Sequence, residues 1–191
     1  MSERVIFHVD ANSAFLSWSA AYRVKVLGET EDLRDVPSVV AGDKESRHSI
    51  ILAKSTPAKK YGIHTGEPLF QALEKCPQLK IVQPDYELYV EASRHFVAML
   101  REFSPAVEQY SIDEAWVDMT GTERLWGAPR LAAEKMRSRI WEELGFTVNV
   151  GISSNKLLAK MAGDFEKPNK VHTLFSEEME EKFWPLPVRD L

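Results

Sequence analysis

Cysteine is almost absent from this sequence. A single Cys76 in 191 residues excludes an internal disulfide and any cysteine-rich zinc site, and it fits a reducing, cytoplasmic setting. Long apolar runs are missing as well. No stretch approaches the roughly 20 residues a helix needs to cross a bilayer. The N-terminus, MSERVIFHVD, carries an acid at position 3 and only a short apolar run, so it does not read as a signal peptide. Positive charge is in deficit. The formal net charge of −5 argues mildly against a chain whose whole surface grips nucleic-acid phosphates. His8, His48, His64, His95 and His172 are scattered without metal-ligand spacing and read as structural or surface residues. There is no internal repeat, low-complexity tract or long linker.

What is present is an ordinary globular composition, 44% hydrophobic and 28% charged. The length suits one large domain or two small ones, with a substantial core. Local charge balance says more than the total. Residues 41–60 carry Lys44, Arg47, Lys54, Lys59 and Lys60 against Asp43 and Glu45. Residues 153–172 carry Lys156, Lys160, Lys167 and Lys170 against Asp164 and Glu166. Acid collects instead at Glu177, Glu178, Glu180 and Glu181, so the two basic stretches are partly segregated.

Hydrophobic periodicity and turn residues predict the elements. Residues 4–9 form a short buried strand ending at Asp10. Asn12 or Ser13 caps a helix to about Leu27, with Phe15, Trp18 and Tyr22 on one face. Strands follow at 37–41 and 49–53. Thr56 caps a short helix with Pro57 at its first turn, and Gly62 closes it. A second short helix runs from Pro68 to Cys76, and a strand covers 79–82. Residues 86–103 form a strongly amphipathic helix with Tyr89, Phe96, Val97, Leu100 and Phe103 inward. Then come strands near 106–110 and within SIDEAWVDM, a helix over 129–144 stopped by Gly145, a strand over 147–153, a helix over 155–164, a strand over 170–174, and an acidic helix capped by Ser176. The Trp and Phe residues mostly read as core.

From Tyr86 onward the order is helix, strand, strand, helix, strand. With the first strand added, this is the split βαβ pattern of an α/β (α+β) ferredoxin-like fold, with residues 12–80 inserted.

Asp10 ends an apolar strand, where a buried charge is costly unless paired or metal-bound. Asp113 and Glu114 lie inside another apolar segment. Successive strand side chains point to opposite faces, so both reach one ion only at a bend or strand end. If these segments are neighbours, three carboxylates converge on one sheet edge. Hard divalent cations such as Mg²⁺ take oxygen ligands of this kind. Taken singly, each acid reads better as a solvated strand end or an acidic turn.

The wording around the acids changes that. HVDANSAF followed by YSIDEAWVD resembles the Y-family translesion DNA polymerases, the DinB/UmuC group. Two further segments carry the resemblance across most of the chain. ILAKSTPAKKYGIHTGEPLFQA is similar to the family's fingers segment, and GISSNKLLAKMAGDFEKPNK to its G-I-x-x-N-K block ending in Lys-Pro-Asn.

The resemblance implies a polymerase palm at 1–11 and 81–175, a small fingers domain at 12–80, and the start of a thumb at 176–191. The remaining thumb and the C-terminal DNA-gripping domain would be absent, which would account for the acidic total. It implies a DNA-directed DNA polymerase adding dNTPs to a primer 3′ end in repair and damage tolerance, including the SOS response. Asp10, Asp113 and Glu114 would be the catalytic metal ligands, with the Ala11 carbonyl, for two Mg²⁺ ions that Mn²⁺ can replace. Phe15 would be the steric gate, an aromatic ring that leaves no room for a 2′-hydroxyl. Thr56, Lys59 and Lys167 would contact the triphosphate, with Lys60 in reserve for Lys59.

Four positions depart from the family pattern. Thr56 replaces a Tyr, Lys59 an Arg, Asn12 a second Asp, and Ala14 an aromatic. Lys59 keeps a charge but loses the bidentate fork. A helix start at Thr56 would retain phosphate affinity. Ser111 reads equally as an orienting group for the carboxylates or as a turn hydroxyl. The implied partners are primer-template DNA, dNTP and a sliding clamp reached through the missing C-terminal part, with no membrane. The isolated fragment would bind DNA weakly and have little or no activity. Two rivals remain open at this point: a palm-type nucleotide cyclase, and a non-catalytic repair factor on a polymerase fold.

Overall fold

The computed structural model of the chain describes residues 4–43 and 48–187. Lys44, Glu45 and Arg47 of the first basic stretch lie outside them, as do residues 188–191 of the expected thumb start. Strand β1 (Ile6–Ala11) is followed by α1 (Ala14–Lys25), β2 (Ser38–Ala41), β3 (Ile51–Lys54), α2 (Thr56–Lys59), α3 (Leu69–Lys75) and β4 (Lys80–Val82). The chain continues through α4 (Tyr86–Phe103), β5 (Val107–Gln109), β6 (Glu114–Asp118), α5 (Glu123–Trp126) and α6 (Pro129–Arg139). It then runs through β7 (Val148–Ser153), α7 (Lys156–Asp164), β8 (Val171–Thr173) and α8 (Met179–Lys182).

The chain divides into two units, one built from Met1–Asn12 with Ser93–Leu191, the other from Ser13–Ala92. The sequence put the second boundary after residue 80, whereas the division falls inside α4. The reason is local packing. Strand β4 pairs with β2, and Tyr86 and Tyr89 in the first turns of α4 pack on Phe15. Those turns therefore go with the inserted segment.

The first unit holds a five-stranded sheet in the order β5-β6-β1-β7-β8. The β5–β6, β6–β1 and β1–β7 pairs are all antiparallel. With α4 and α6 as the crossover helices, this is the ferredoxin-like arrangement. Strand β8 extends it, joining β7 in parallel after the α7 crossover. Burial follows the pleat in β6: Ala115 and Val117 are buried, while Glu114, Trp116 and Asp118 are half-buried. The apolar stripe of α4 is buried as its period predicts, and Phe96 meets Phe146 edge-on at 6.0 Å. The helix expected over 129–144 is α6 prolonged by a π-helical turn, Ile140–Leu144, which ends at Gly145 in the left-handed conformation (φ 83°).

Helix α7 packs on β7 and β1. Its approach is unusually close. A Cβ on Gly151 would lie 1.9 Å from the Ala159 carbonyl oxygen and 2.4 Å from the Gly163 nitrogen. Only glycine at this position lets the helix backbone rest on the strand.

The second unit has a three-stranded sheet, β3-β2-β4. Its core gathers Val39, Ile51, Ile63, Leu69 and Leu79 around the lone, buried Cys76. A separate aromatic cluster joins Phe15, Trp18, Tyr86 and Tyr89.

Three expected caps are different in the structure. Ser13 precedes α1 in a left-handed conformation (φ 48°) with no side-chain cap bond, because Asn12 faces Asn149 instead. Ser55, not Thr56, caps α2, accepting the Ala58 N–H at 3.1 Å. Glu178 reaches back to the Phe175 N–H at 2.8 Å, and Ser176 caps nothing. Aromatics are also less buried than expected. Trp18 is the one tryptophan in the core, and Trp141 and Trp184 are exposed.

Candidate active site

Asp10 and Glu114 are direct partners across the antiparallel β1–β6 ladder, so their side chains share one face. His8 lies two residues before Asp10, on the same face, opposite Trp116. The side chains of Asp10 and Glu114 keep only 18% and 14% of their exposure, too little for water alone to solvate two carboxylates. Cationic partners supply the rest. The Lys167 ammonium pairs with Asp10 and lies 2.8 Å from Asp164. The Lys160 ammonium pairs with Glu114, and His8 Nε2 donates to the same carboxylate at 2.7 Å.

These partners separate the two acids electrostatically. Burial pushes the Asp10 carboxyl above its ordinary range, against the pull of Lys167. Burial works upward on Glu114 too, but hydrogen bonds from Lys160 and His8 outweigh it and hold that carboxyl below its ordinary value. Burial, helped by the Lys160 charge, lowers His8, so the imidazole donates as a neutral ring at pH 7. For Lys167 burial works downward, yet the Asp10 hydrogen bond keeps the ammonium above its ordinary value.

Asp113 sits in the bend just before β6, which is how two consecutive acids escape strand alternation. The bend is tied down. The Ala11 N–H donates to the Asp113 carbonyl at 2.9 Å, and the Tyr110 and Ser111 N–H groups donate to the Glu114 carbonyl. Ser93 Oγ donates to the Ile112 carbonyl at 2.5 Å, and Gln109 Nε2 to that of Ser111 at 2.9 Å. Ser111 Oγ donates to the Asp113 carboxylate at 2.6 Å. The negative charge of Asp113 adds to the upward shift of Asp10, so the two are electrostatic neighbours. Among the described residues, however, no three acids or histidines are gathered into a preformed cation cage. Asp10 and Glu114 stand side by side under lysine ammoniums, and Asp113 is turned onto Ser111. Ala11 closes β1 next to them.

The lysines reach the acids because of the tight α7 approach. Asn155 caps α7, accepting the Leu158 N–H at 2.9 Å. One turn on, Lys160 projects onto Glu114 and lies 5.1 Å from the Tyr110 ring. Lys156 lies 5.3 Å from the Trp116 ring and pairs with Glu108. The sequence pointed to Lys167 but not to Lys160 or His8. His8 had a readable signal in its two-residue spacing from Asp10. Lys160 lay in a basic stretch and in the motif block, but nothing there pointed to its target, which lies on another element.

The other candidates belong to the second unit. Phe15 is half-buried and stacks on Tyr89, with centroids 4.5 Å apart and planes at 11°. Thr56 and Lys59 are exposed on α2, a single four-residue turn too short to carry much of a dipole. The phosphate argument from a helix start is accordingly weakened. Lys54, absent from the expected site, is half-buried and bonds Thr65 Oγ1 at 3.1 Å. Burial and the neighbouring Lys59 ammonium lower its affinity for a proton, which marks a spot favourable to an anion.

The chain is similar to known proteins in sequence and in fold. The model of the impB/mucB/samB family matches residues 9–164. DNA polymerase IV of Clostridium acetobutylicum is 52% identical over 188 residues, covering 98% of this chain and 47% of the relative. DNA polymerase IV 2 of Bacillus subtilis is 40% identical, covering 98% of this chain and 45% of the relative. The chain thus spans about half the length of these relatives. The structure of DinB from Sulfolobus solfataricus superposes with a TM-score of 0.83 at 25% identity, over 98% of this chain and 53% of that one. An insertion ternary complex of Dbh DNA polymerase matches in fold, with a TM-score of 0.82 at 24% identity over the same shares. No helix among the described residues is long and apolar enough to cross a membrane.

Proposed function

The chain belongs to the impB/mucB/samB family, the DinB/UmuC group of Y-family polymerases, and from that membership we propose that it supplies the catalytic part of a translesion DNA polymerase. The reaction is template-directed transfer of a deoxynucleotide to a primer 3′-hydroxyl, with release of pyrophosphate. The observation that carries the reading is the pairing of Asp10 with Glu114 across β1 and β6, with Lys160 and Lys167 on them and Asp113 in the adjoining bend. In this assignment the unit holding the five-stranded sheet is the palm, the unit from Ser13 to Ala92 contains the fingers, and residues 176–191 begin a thumb.

The donor set is made of oxygens only, and two of its carboxylates already attract cationic groups, so it suits a hard divalent cation. Asp10, Asp113, Glu114 and the Ala11 carbonyl would hold Mg²⁺, with Mn²⁺ as a substitute. Bound there, two such ions supply activation of the attacking hydroxyl and compensation of charge on the leaving group. The protein's own groups do the rest. His8 donates to Glu114 and fixes its orientation. Ser111 does the same for Asp113. Lys167 exchanges its carboxylate partner for triphosphate oxygens, to which an ammonium binds as a point charge. Lys59 and Thr56 contact phosphate, and Phe15 excludes the 2′-hydroxyl of a ribonucleotide. Primer-template DNA and dNTP are the partners, with a sliding clamp as a further one, in the cytoplasm.

The relatives described above are polymerases by name, which favours this reading over a nucleotide cyclase or a non-catalytic repair factor. Extension of a primed template with Mg²⁺, lost on combining Asp113→Ala with Glu114→Ala, is the expected result. Normal extension by that double variant sinks the metal assignment, and template-free formation of a cyclic nucleotide identifies the cyclase instead.

A further inference from the structure

The turn that carries Lys167 is anchored from beneath by two buried amides. Asn149 lies in β7 directly opposite Asp10 and is fully buried. Its Nδ2 donates to the Gly163 carbonyl at 2.9 Å and to the Glu166 carbonyl at 2.6 Å. Its Oδ1 accepts from Asn12 Nδ2 at 3.1 Å and from the Lys170 N–H at 3.3 Å. Asn12 in turn accepts the Asn169 N–H through Oδ1 at 2.9 Å. Arg137 closes the set from α6, donating to Asn169 Oδ1 at 2.7 Å. Asn169 itself is left-handed (φ 61°), so its N–H and carbonyl need defined partners.

An amide offers two donor protons and two acceptor lone pairs, and Asn149 uses all of them, on the Gly163 carbonyl at the end of α7, on the Glu166 carbonyl and Lys170 N–H of this turn, and on its neighbour Asn12. Burial of β7 alone would be served better by an aliphatic side chain, which brings no polar group to satisfy. We propose that Asn149, together with Asn12, is a positioning residue for Lys167. The two amides fix the segment 166–170 relative to β1 and β7, so that the Lys167 ammonium stands at Asp10, where it can pass to the triphosphate. In this chain, where Asn12 stands in place of the family's Asp, the two paired amides require each other. Aspartate at 149 would lose both donors to the Gly163 and Glu166 carbonyls. Aspartate at 12 would set a carboxylate oxygen against Asn149 Oδ1.

The proposal rests on the reading of Lys167 as a triphosphate ligand, and the test separates the two. Primer extension by the intact protein gives KM for dNTP and kcat, and equilibrium binding of dATP without primer gives a second readout. Asn149→Ala is expected to raise KM and weaken dATP binding about tenfold, with kcat changed less than about threefold. Asn12→Asp, nearly unchanged in volume, moves both in the same direction and carries the test if Asn149→Ala fails to fold. Hydrogen exchange at the Asn169 and Lys170 amides accelerates in both. In a Lys167→Ala background, Asn149→Ala adds nothing to the change in KM, as expected of a residue acting through that lysine. Additive effects, or an unaltered KM in Asn149→Ala and Asn12→Asp, overturn the proposal while Lys167 keeps its role. An unaltered KM in Lys167→Ala overturns the role of Lys167 itself.

Discussion

The two units carry charge in different ways. In the unit built on the five-stranded sheet, Asp10, Glu114 and His8 are largely withdrawn from water, and they and the more exposed Lys167 each have a named partner and a displaced proton affinity. In the unit of Ser13–Ala92, Thr56 and Lys59 stand exposed on a single helical turn, with the displaced Lys54 beside them. Burial of a charge is expensive, so the first arrangement persists only because partners from three elements converge on it. An exposed cation costs nothing to keep and can be exchanged for another with little effect. Large, specific losses are therefore expected from the first unit and graded ones from the second.

The severest break in that contrast is Asp113→Ala combined with Glu114→Ala. On the metal assignment proposed above, primer extension should fall by about a thousandfold or more. A loss below tenfold would place the chemistry elsewhere. Next is Gly151→Ala. The added Cβ would strike α7 backbone at 1.9 and 2.4 Å, and chemical denaturation should show a loss of about 3 kcal/mol. Reactivity of Cys76, buried in the other unit, reports whether the damage stays within the first.

Phe15→Ala comes third. On the steric-gate assignment proposed above, ribonucleotide incorporation relative to deoxynucleotide should rise about tenfold or more once the ring is removed. The stack on Tyr89 is lost as well, so the melting temperature should drop. An unchanged sugar preference with a lower melting temperature would reduce Phe15 to a core aromatic. Lys59→Ala should raise KM for dNTP only about three- to tenfold, and Lys59→Arg should recover or improve on the native value through its bidentate fork. A loss in Lys59→Ala as large as that of the carboxylates would erase the contrast between the units.

The smallest effect concerns Asp32, whose carboxyl is held below its ordinary value first by the Arg34 hydrogen bond at 2.6 Å. A depressed native value means that the contribution is present above the unfolded pKa, near 4, and is lost as pH falls through the native one. Asp32→Asn should cost less than about 1 kcal/mol at pH 7 and nothing in strong acid, read by denaturation at both pH values.

Much of the fold was legible because its signals are local. The apolar stripe of α4, the Pro129 start and Gly145 stop around α6, and the Asn155 cap each act within a turn or two. Caps with competing neighbours were misread. Ser55 outdid Thr56 because it also ties Val36 and Ser38, and Asn12 left α1 uncapped to serve Asn169. The acids were singled out by the family wording around them, because a charge ending or interrupting an apolar strand reads on its own as a solvated strand end or an acidic turn. Their partners were not. Asn149 reads as one more residue in an alternating strand, and Lys160 as a solvated helix lysine.

The sequence by itself determined the order of elements, the ferredoxin-like pattern and the family, and it proposed the three carboxylates as candidates. The elements follow from periodicity and turn chemistry, which operate over a few residues at a time, whereas the family and the carboxylates rest on the resemblance of four motifs spread along the chain. The tertiary structure decided that Asp10 faces Glu114, that Lys167 meets an acid 157 residues away, and that Asn149 lies beneath them both. Cross-strand register and the glycine-to-backbone approach of α7 settle those contacts. Both are properties of two segments packed together, and neither segment carries them alone.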